Sequence, residues 1–462
     1  MIDWCPTLSD SDAPRYVAIA DCIETDVRSG RLSPGDRLPA QRQLAARLGL
    51  DFTTVARGYA EARRRGIIAS QVGSGTYVAA ADGLPSAAAI AHQRLSPPDR
   101  SMNLPPEPED ITLVNRMREG IGTLAADLVP LLRYQSLEAC ERDREAAAIW
   151  LEGSGLSRSP GEILFSPGTQ AGLGSALAAI CSPGDKIACE ALTYPGIRSI
   201  CAQLHLPLAG LAQDEDGLLP DALDEACRND SPKALYLNPT LSNPTTRTMP
   251  GSRRSEIVEI ARRHNVVILE DEAYGQLSRD KPLPFAVLAP ELTWHFASLS
   301  KCVGAGLRLA YVIAPGKKAA WQFSRSVRSS NVMASPLSVA LATRWIEDGT
   351  AHALLSFIRT ESATRQRLAA RHLAGRDFQA DPNGFHLWLN LPGGWTRSTF
   401  VGHMRDRSFG VVESDAFAAG MAPPEAVRLC LGGPTNRDAL TADLDAVSHA
   451  LEASPQRASV YF

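Results

Sequence analysis

Two kinds of periodicity divide the chain. Over residues 15–29, Val17, Ile19, Ala20, Ile23 and Val27 fall at helical spacing, and Gly30 closes the run. Leu44, Ala45 and Leu48 form a second stripe that ends at Gly49. Pro34-Gly35 supplies turn chemistry ahead of it, and Pro39 is expected at the first helical position. A third helix is predicted from near Asp51, whose carboxylate can cap it, through Val55, Tyr59 and Ala62 to Gly66. IIASQVGSGTYVAA then reads as two short strands around Gly73-Ser74-Gly75, so the first eighty residues spell a helix-turn-helix with a wing. From about residue 104 the pattern changes. EILFSP, KIACE, ALYLNP, VVILED, HFASLSK and LRLAYVIAP are short, continuously apolar runs separated by helical stretches. Such runs suit parallel strands buried on both faces, whose C-terminal ends gather ligands. Residues 79–110 between these regions lack periodicity and are rich in Ala, Ser and Pro, with Pro97-Pro98 and Pro105-Pro106-Glu107-Pro108 favouring extended chain. The expected division is a head over 1–81, a linker over 82–103 and a body over 104–462.

Composition narrows the class. A chain of 462 residues exceeds one ordinary core, and 44% hydrophobic with 21% charged residues is usual for a soluble globular protein. No apolar stretch reaches the roughly 18 residues of a membrane span. MIDWCPTLSDSDAP has no basic stretch followed by an apolar core, which argues against secretion. The nine cysteines are scattered without a CxxC pair, a pattern of reduced thiols rather than of disulfides or zinc, and a cytoplasmic location is expected. The net charge of −4 conceals an excess in the head. Between Arg28 and Val78 nine arginines face three acids, Asp36, Asp51 and Glu61. A cationic segment on an acidic protein is a footprint of nucleic-acid binding, though a solvated helix face accounts for charge alone equally well.

In the head, GRLSPGDRLPAQRQLAARLG, TVARGY and GSGTYV, in order over about 60 residues, resemble the GntR family of winged-helix regulators. By that resemblance Arg42 meets DNA from the start of the second helix, Thr53, Thr54 and Arg57 present from the recognition helix, and Gly73 reaches the minor groove at the wing. An arginine can fork onto a guanine edge or a phosphate, and threonine hydroxyls and glycine amides suit phosphates. Phe52 stands where the family often has arginine; it can touch a thymine methyl or pack, and base specificity is left open. Arg63, Arg64 and Arg65 read as a solvated helix end favoured by the dipole.

In the body, candidate chemistry sits just past the strand ends. SLSKCVGAGLRLAYV resembles the lysine segment of fold-type I pyridoxal-phosphate enzymes, with Lys301 preceded by Ser298 and Ser300 and followed seven residues later by Arg308. The resemblance implies that Lys301 joins pyridoxal 5'-phosphate as an aldimine, for which an amine of lowered pKa is required. Arg308 then binds the phosphate bidentately. Gly168, Thr169 and Gln170 open a helix after a strand, and such an N-terminus is an anion site; in the family it is the phosphate cup. In VVILEDEAY, Asp271 matches the family aspartate that pairs with the ring nitrogen, and Tyr274 the tyrosine that the resemblance puts at the ring's 3-oxygen. Glu270 and Glu272 are left as supporting or solvated. Asn243 in SNPTT matches the asparagine that also meets the 3-oxygen, with Thr246 at the motif's glycine position. Tyr194 matches the aromatic that stacks on the ring, a place where plain core packing would also put a tyrosine. Arg428 in AVRLCLGG matches the arginine for a substrate carboxylate, and Tyr134 a tyrosine that crosses the dimer to the neighbour's phosphate.

The fold class expected is therefore α/β: a winged helix-turn-helix domain plus a fold-type I aminotransferase-like domain, mainly a parallel sheet with helices on both faces and a smaller C-terminal subdomain. This order of parts is that of MocR-type regulators. The resemblance implies a homodimer with each head over the partner's body, double-stranded operator DNA as a partner, an amino acid or amine effector, and no metal or membrane partner. Two rivals stand beside the regulator: an active aminotransferase with an auxiliary head, and a DNA-binding protein with a vestigial body.

Overall fold

The computed structural model describes residues 4–6, 14–29, 31–33, 35–71, 75–78, 99, 101–136, 139–405, 407 and 409–452. The chain separates into two compact units, Met1–Pro98 and Asp99–Phe462.

The first unit is built from α1 (Arg15–Arg28), α2 (Gln41–Leu48), α3 (Phe52–Arg64) and the antiparallel pair β1 (Ile68–Gln71) and β2 (Gly75–Val78). The predicted apolar stripes are its core: Ile19, Ala20, Ile23, Leu44, Val55, Tyr59 and Ala62 are buried together with Trp4 and Leu38. Asp51 caps α3 by accepting the Thr54 amide at 3.1 Å. Pro39, expected to open α2, lies outside it, because Ala40 is the extended N-cap residue and Gln41 the first helical one. The Pro39 carbonyl accepts the buried Tyr59 hydroxyl at 2.9 Å, which ties the turn to α3. The α1–α3 contact is close enough to require glycine at 58: a Cβ there would meet Ile19 Cβ at 3.0 Å and the Tyr16 carbonyl at 3.1 Å.

The second unit contains a seven-stranded sheet of β3 (Ile163–Ser166), β4 (Ile187–Glu190), β5 (Leu208–Leu211), β6 (Ala234–Leu237), β7 (Val267–Asp271), β8 (Thr293–Ser298) and β9 (Ala310–Ile313) in the order β3-β9-β8-β7-β6-β4-β5. Only β9 runs against its neighbours, so the other six strands end on one edge. Successive residues feed opposite layers. Trp294, Phe296 and Val312 pack with Leu173 and Leu177 of α4 (Thr169–Ile180), whereas Ala297, Tyr311 and Ile313 pack with Trp345, Leu354 and Ile358. Burial on both faces is why these strands read as unbroken apolar runs. A second, antiparallel sheet of β10 (Phe378–Ala380), β11 (His386–Asn390), β12 (Gly410–Glu413) and β13 (Ala426–Cys430), ordered β10-β11-β13-β12, forms the smaller C-terminal part with its own core. No helix among the described residues is long and apolar enough to cross a membrane.

Candidate cofactor site and nucleic-acid interface

The parallel strands deliver their polar residues to one edge. Asp271 is the last residue of β7 and Ser298 the last of β8, and the two strands pair with Asp271 opposite Phe296. Asp271 is buried; Tyr236 donates to its Oδ2 at 2.9 Å, the Ala273 amide donates to Oδ1 at 3.1 Å, and Asn238 holds its backbone carbonyl at 2.7 Å. Burial pushes its carboxyl up to about 6 against these donors. Lys301 follows β8 in a turn begun by the Ser300 amide, which donates to Ser298 Oγ at 3.1 Å. Its ammonium donates to the carbonyl of Asn103, and burial, aided by the charge of Arg428, lowers it to about 8.

Three further elements close around this amine. Tyr274 is buried, tilted against His386 and Phe385, and receives a hydrogen bond from Asn103 Nδ2 at 2.9 Å. Asn243, with its amide on Asn238 Oδ1, accepts from Arg428 Nη1 at 3.0 Å. Arg428 sits on β13 opposite Trp388, is buried, lies over the Phe417 ring at 5.1 Å, and donates through Nη2 to the Ser101 carbonyl at 2.6 Å. Thr246 takes φ 63° at the motif's glycine position, and its amide bonds to the Ser242 carbonyl. The turn thus survives the substitution at the cost of a left-handed β-branched residue.

Past the end of β3, the chain at Gly168 meets Arg308. Gly168 adopts φ 89° ahead of α4, and a Cβ there would press on the Arg308 guanidinium at 3.1 Å. Thr169 Oγ1 is buried with no partner, Gln170 is exposed on the first turn, and Arg308, itself at φ 47°, makes no ion pair among the described residues. Tyr194 ends the loop after β4 as the N-cap of α5 (Pro195–Gln203), half-buried over Gly196; burial and then the Asp271 carboxylate raise its phenol. Tyr134 is 80% exposed, and no hydrogen bond among the described residues joins it to this cluster.

Several participants carry no sequence signal. Asn103 and Ser101 fall in the segment expected to be linker, yet both bond to this site. Tyr236 lies inside an apolar run. His386 is buried beside Tyr274 with Nε2 at 3.1 Å from the Ser242 carbonyl, and burial depresses it to about 3, so it is neutral at working pH. Glu270 and Glu272 are fully enclosed rather than solvated: Glu270 pairs with His295 at 2.7 Å and the Phe285 amide at 2.6 Å, Glu272 accepts from Thr240, and Arg254 lies between them.

On the head, Arg42 is exposed with its guanidinium 5.8 Å from the Phe52 ring, and Arg57 lies 4.3 Å over Tyr16. Phe52, 46% exposed, thus flanks Arg42. Thr53 and Thr54 both donate their hydroxyls to Asp51, so these protons are committed to the cap. Arg64 and Arg65 pair with Glu61, and Arg65 also with Asp21 and Glu24, which ties α3 to α1. Gly73 lies outside the described residues.

Two family models match separate stretches of the chain. Residues 104–442 match the aminotransferase class I and II model, and residues 15–78 match that of bacterial regulatory proteins of the gntR family. The HTH-type transcriptional regulator YdeF of Bacillus subtilis is 30% identical over 449 residues, 95% of each chain. The chain belongs to the gntR-type regulators fused to a class I and II aminotransferase domain, the MocR-type arrangement. TauR, an HTH-type transcriptional regulator of Rhodobacter capsulatus, is 27% identical over 412 residues, 80% of this chain and 83% of its own. In fold, the body is similar to the α-aminoadipate aminotransferase LysN of Thermus thermophilus, with a TM-score of 0.68 at 21% identity over 76% of this chain and 91% of that one.

Pyridoxal 5'-phosphate is the cofactor this family implies, and the side chains fit it. An amine lowered to about 8 suits an aldehyde, a buried carboxylate at a strand end suits a ring nitrogen, and the unpartnered Thr169 hydroxyl beside Arg308 suits a phosphate.

Proposed function

We propose that the protein is a pyridoxal-phosphate-dependent, DNA-binding transcriptional regulator whose body senses the cofactor, or an amino acid or amine joined to it, and alters operator binding by the head. The observation that carries this reading is the meeting of Lys301, Asp271, Tyr274, Asn243 and Arg428 at one sheet edge in a chain that also holds a gntR-type head. When bound, the cofactor supplies an electron sink for bonds at an amine carbon. Lys301 holds it covalently and carries the proton at Nζ. Asp271 keeps the ring nitrogen protonated, Tyr274 and Asn243 hydrogen-bond the 3-oxygen, and Tyr194 covers the ring face. Gly168, Thr169, Gln170, Ser298, Ser300 and Arg308 hold the phosphate, joined by Tyr134 from the partner of a homodimer. Arg428 takes the effector's carboxylate. In the head, Arg42, Thr53, Thr54, Arg57 and Gly73 meet DNA, with Phe52 supporting Arg42. Within this reading the head spans 1–81 and the body 104–462, the connecting segment 82–103 ends docked on the body, and the protein works in the cytoplasm.

The test is spectroscopic. Purified protein is expected to show the visible absorbance of lysine-bound cofactor, Lys301→Ala to lose that band while keeping its circular dichroism, and addition of an amino acid to change operator affinity. Retention of the band by Lys301→Ala would sink the site assignment. Arg428 and Lys301 in one cleft also support a second reading, a working aminotransferase with an auxiliary head. Repeated turnover of an amino acid with a keto acid would favour it, and a single half-reaction would not.

A further inference from the structure

Asn103 links two groups of the site at once. Its backbone carbonyl accepts from Lys301 Nζ, and its side-chain Nδ2 donates to the Tyr274 hydroxyl at 2.9 Å. The residue is buried, and its Oδ1 has no partner among the described residues. An amide left half-satisfied in a buried place is destabilising, and a leucine of similar shape would avoid that penalty. The amide therefore stands where stability alone would not put it. Its effect on Tyr274 is directional. A phenol that receives a donor must send its own proton elsewhere, and a hydroxyl within such a chain is a stronger donor than one standing alone.

We propose that Asn103 is a positioning residue that turns the Tyr274 proton toward the cofactor's 3-oxygen and thereby lowers the proton affinity of Lys301 Nζ once Lys301 is joined to the cofactor. The inference rests on the cofactor reading above. Tyr274, donating to the ring oxygen, weakens that oxygen's hold on the proton at Lys301 Nζ; without Asn103 the donation is weaker and the proton is held longer. The other charged and titratable groups around Lys301 are Arg428 and Cys430 on β13, Asp271 on β7, Arg308 before β9 and His386 on β11, and around Tyr274 they are Arg428, Cys430, Tyr194 and His386. None of them hydrogen-bonds to the Asn103 side chain, so substitution there leaves their own bonds in place.

The experiment is a pH titration of the visible spectrum of cofactor-loaded protein: wild type, Asn103→Ala, the near-isosteric Asn103→Leu, Tyr274→Phe, and both double variants. Each Asn103 substitution is expected to keep the band and raise its apparent pKa by about 0.5 unit or more, roughly threefold in proton affinity. In the Tyr274→Phe background the same substitutions are expected to add less than about 0.2 unit, because the residue through which Asn103 acts is gone. An unshifted pKa in the wild-type background, an equal shift with and without the Tyr274 hydroxyl, or loss of the band from both single variants would each overturn the inference alone. A wild-type protein with no visible band would overturn the cofactor reading and this inference with it.

Discussion

Enclosure and the Arg428 guanidinium lower the Lys301 ammonium to about 8, so roughly a tenth of the amine is neutral at pH 7, against about one part in 3,000 for an ordinary lysine. Reductive trapping of an aldehyde on cofactor-free protein should therefore rise with pH and reach half its maximum near 8; a midpoint near 10 would contradict the assigned environment. The stability consequence has a definite sign. Between about 8 and 10.5 the unfolded chain binds more protons at this position than the folded one, so the stability of the cofactor-free body rises with pH there. Asp271 acts in the other direction: raised to about 6, it keeps a proton that the unfolded carboxyl has lost, and its contribution falls as pH climbs from 3.8 toward 6. Near neutrality both penalties are present. Lys301→Met is accordingly expected to raise the melting temperature of the cofactor-free protein at pH 7, and the advantage should shrink as the pH approaches 10. A constant advantage across that range would assign the gain to packing instead of charge.

At the scale of elements, what was legible in the sequence follows from burial periodicity. The stripes at Ile19, Leu44 and Val55 and the apolar runs ending at Asp271 and Ser298 each repeat a burial pattern along consecutive residues, and the elements appear where those patterns placed them. The segment around Asn103 could not be read this way. It is proline-rich extended chain, which looks the same as a linker and as a docked strap, and its partners lie 171 and 198 residues away. Tyr236 was hidden for a related reason: a strand buried on both faces offers no alternation to separate a residue facing the site from one facing the core. The caps were legible and the sharing of them was not, since Asp51 holds both threonines expected to face DNA. The α1–α3 contact gives a direct test of the head. Gly58→Val places a branched side chain against Ile19 and the Tyr16 carbonyl, and it is expected to cost about 1–3 kcal/mol, read as a lower denaturant midpoint for the head. A midpoint within error of wild type would show that α1 and α3 separate freely.

For the whole molecule, the question is how two compact units in one chain exchange free energy. If the cofactor is held by the proposed groups of the body, then at a hundredfold excess over its dissociation constant it should stabilise the body by about 2.7 kcal/mol and leave a separate head transition where it was. Regulation requires more than that, namely an effector that binds one DNA-affinity state more tightly than the other. If an amino acid changes operator affinity by some factor, operator DNA must change the affinity for that amino acid by the same factor, and a tenfold effect corresponds to about 1.4 kcal/mol. Arg42→Ala separates reading from coupling. Arg42 is exposed beside Phe52 and belongs to the head, so its loss should weaken operator binding and reduce the salt dependence by about one counterion. The ratio of operator affinities with and without the amino acid should stay as in wild type, because the contact is lost from both states. Calorimetric titration of the amino acid into free and operator-bound protein, repeated with Arg42→Ala, measures both quantities. Unequal factors in the two directions would mean that a slow covalent step, rather than an equilibrium between two states, sets the response.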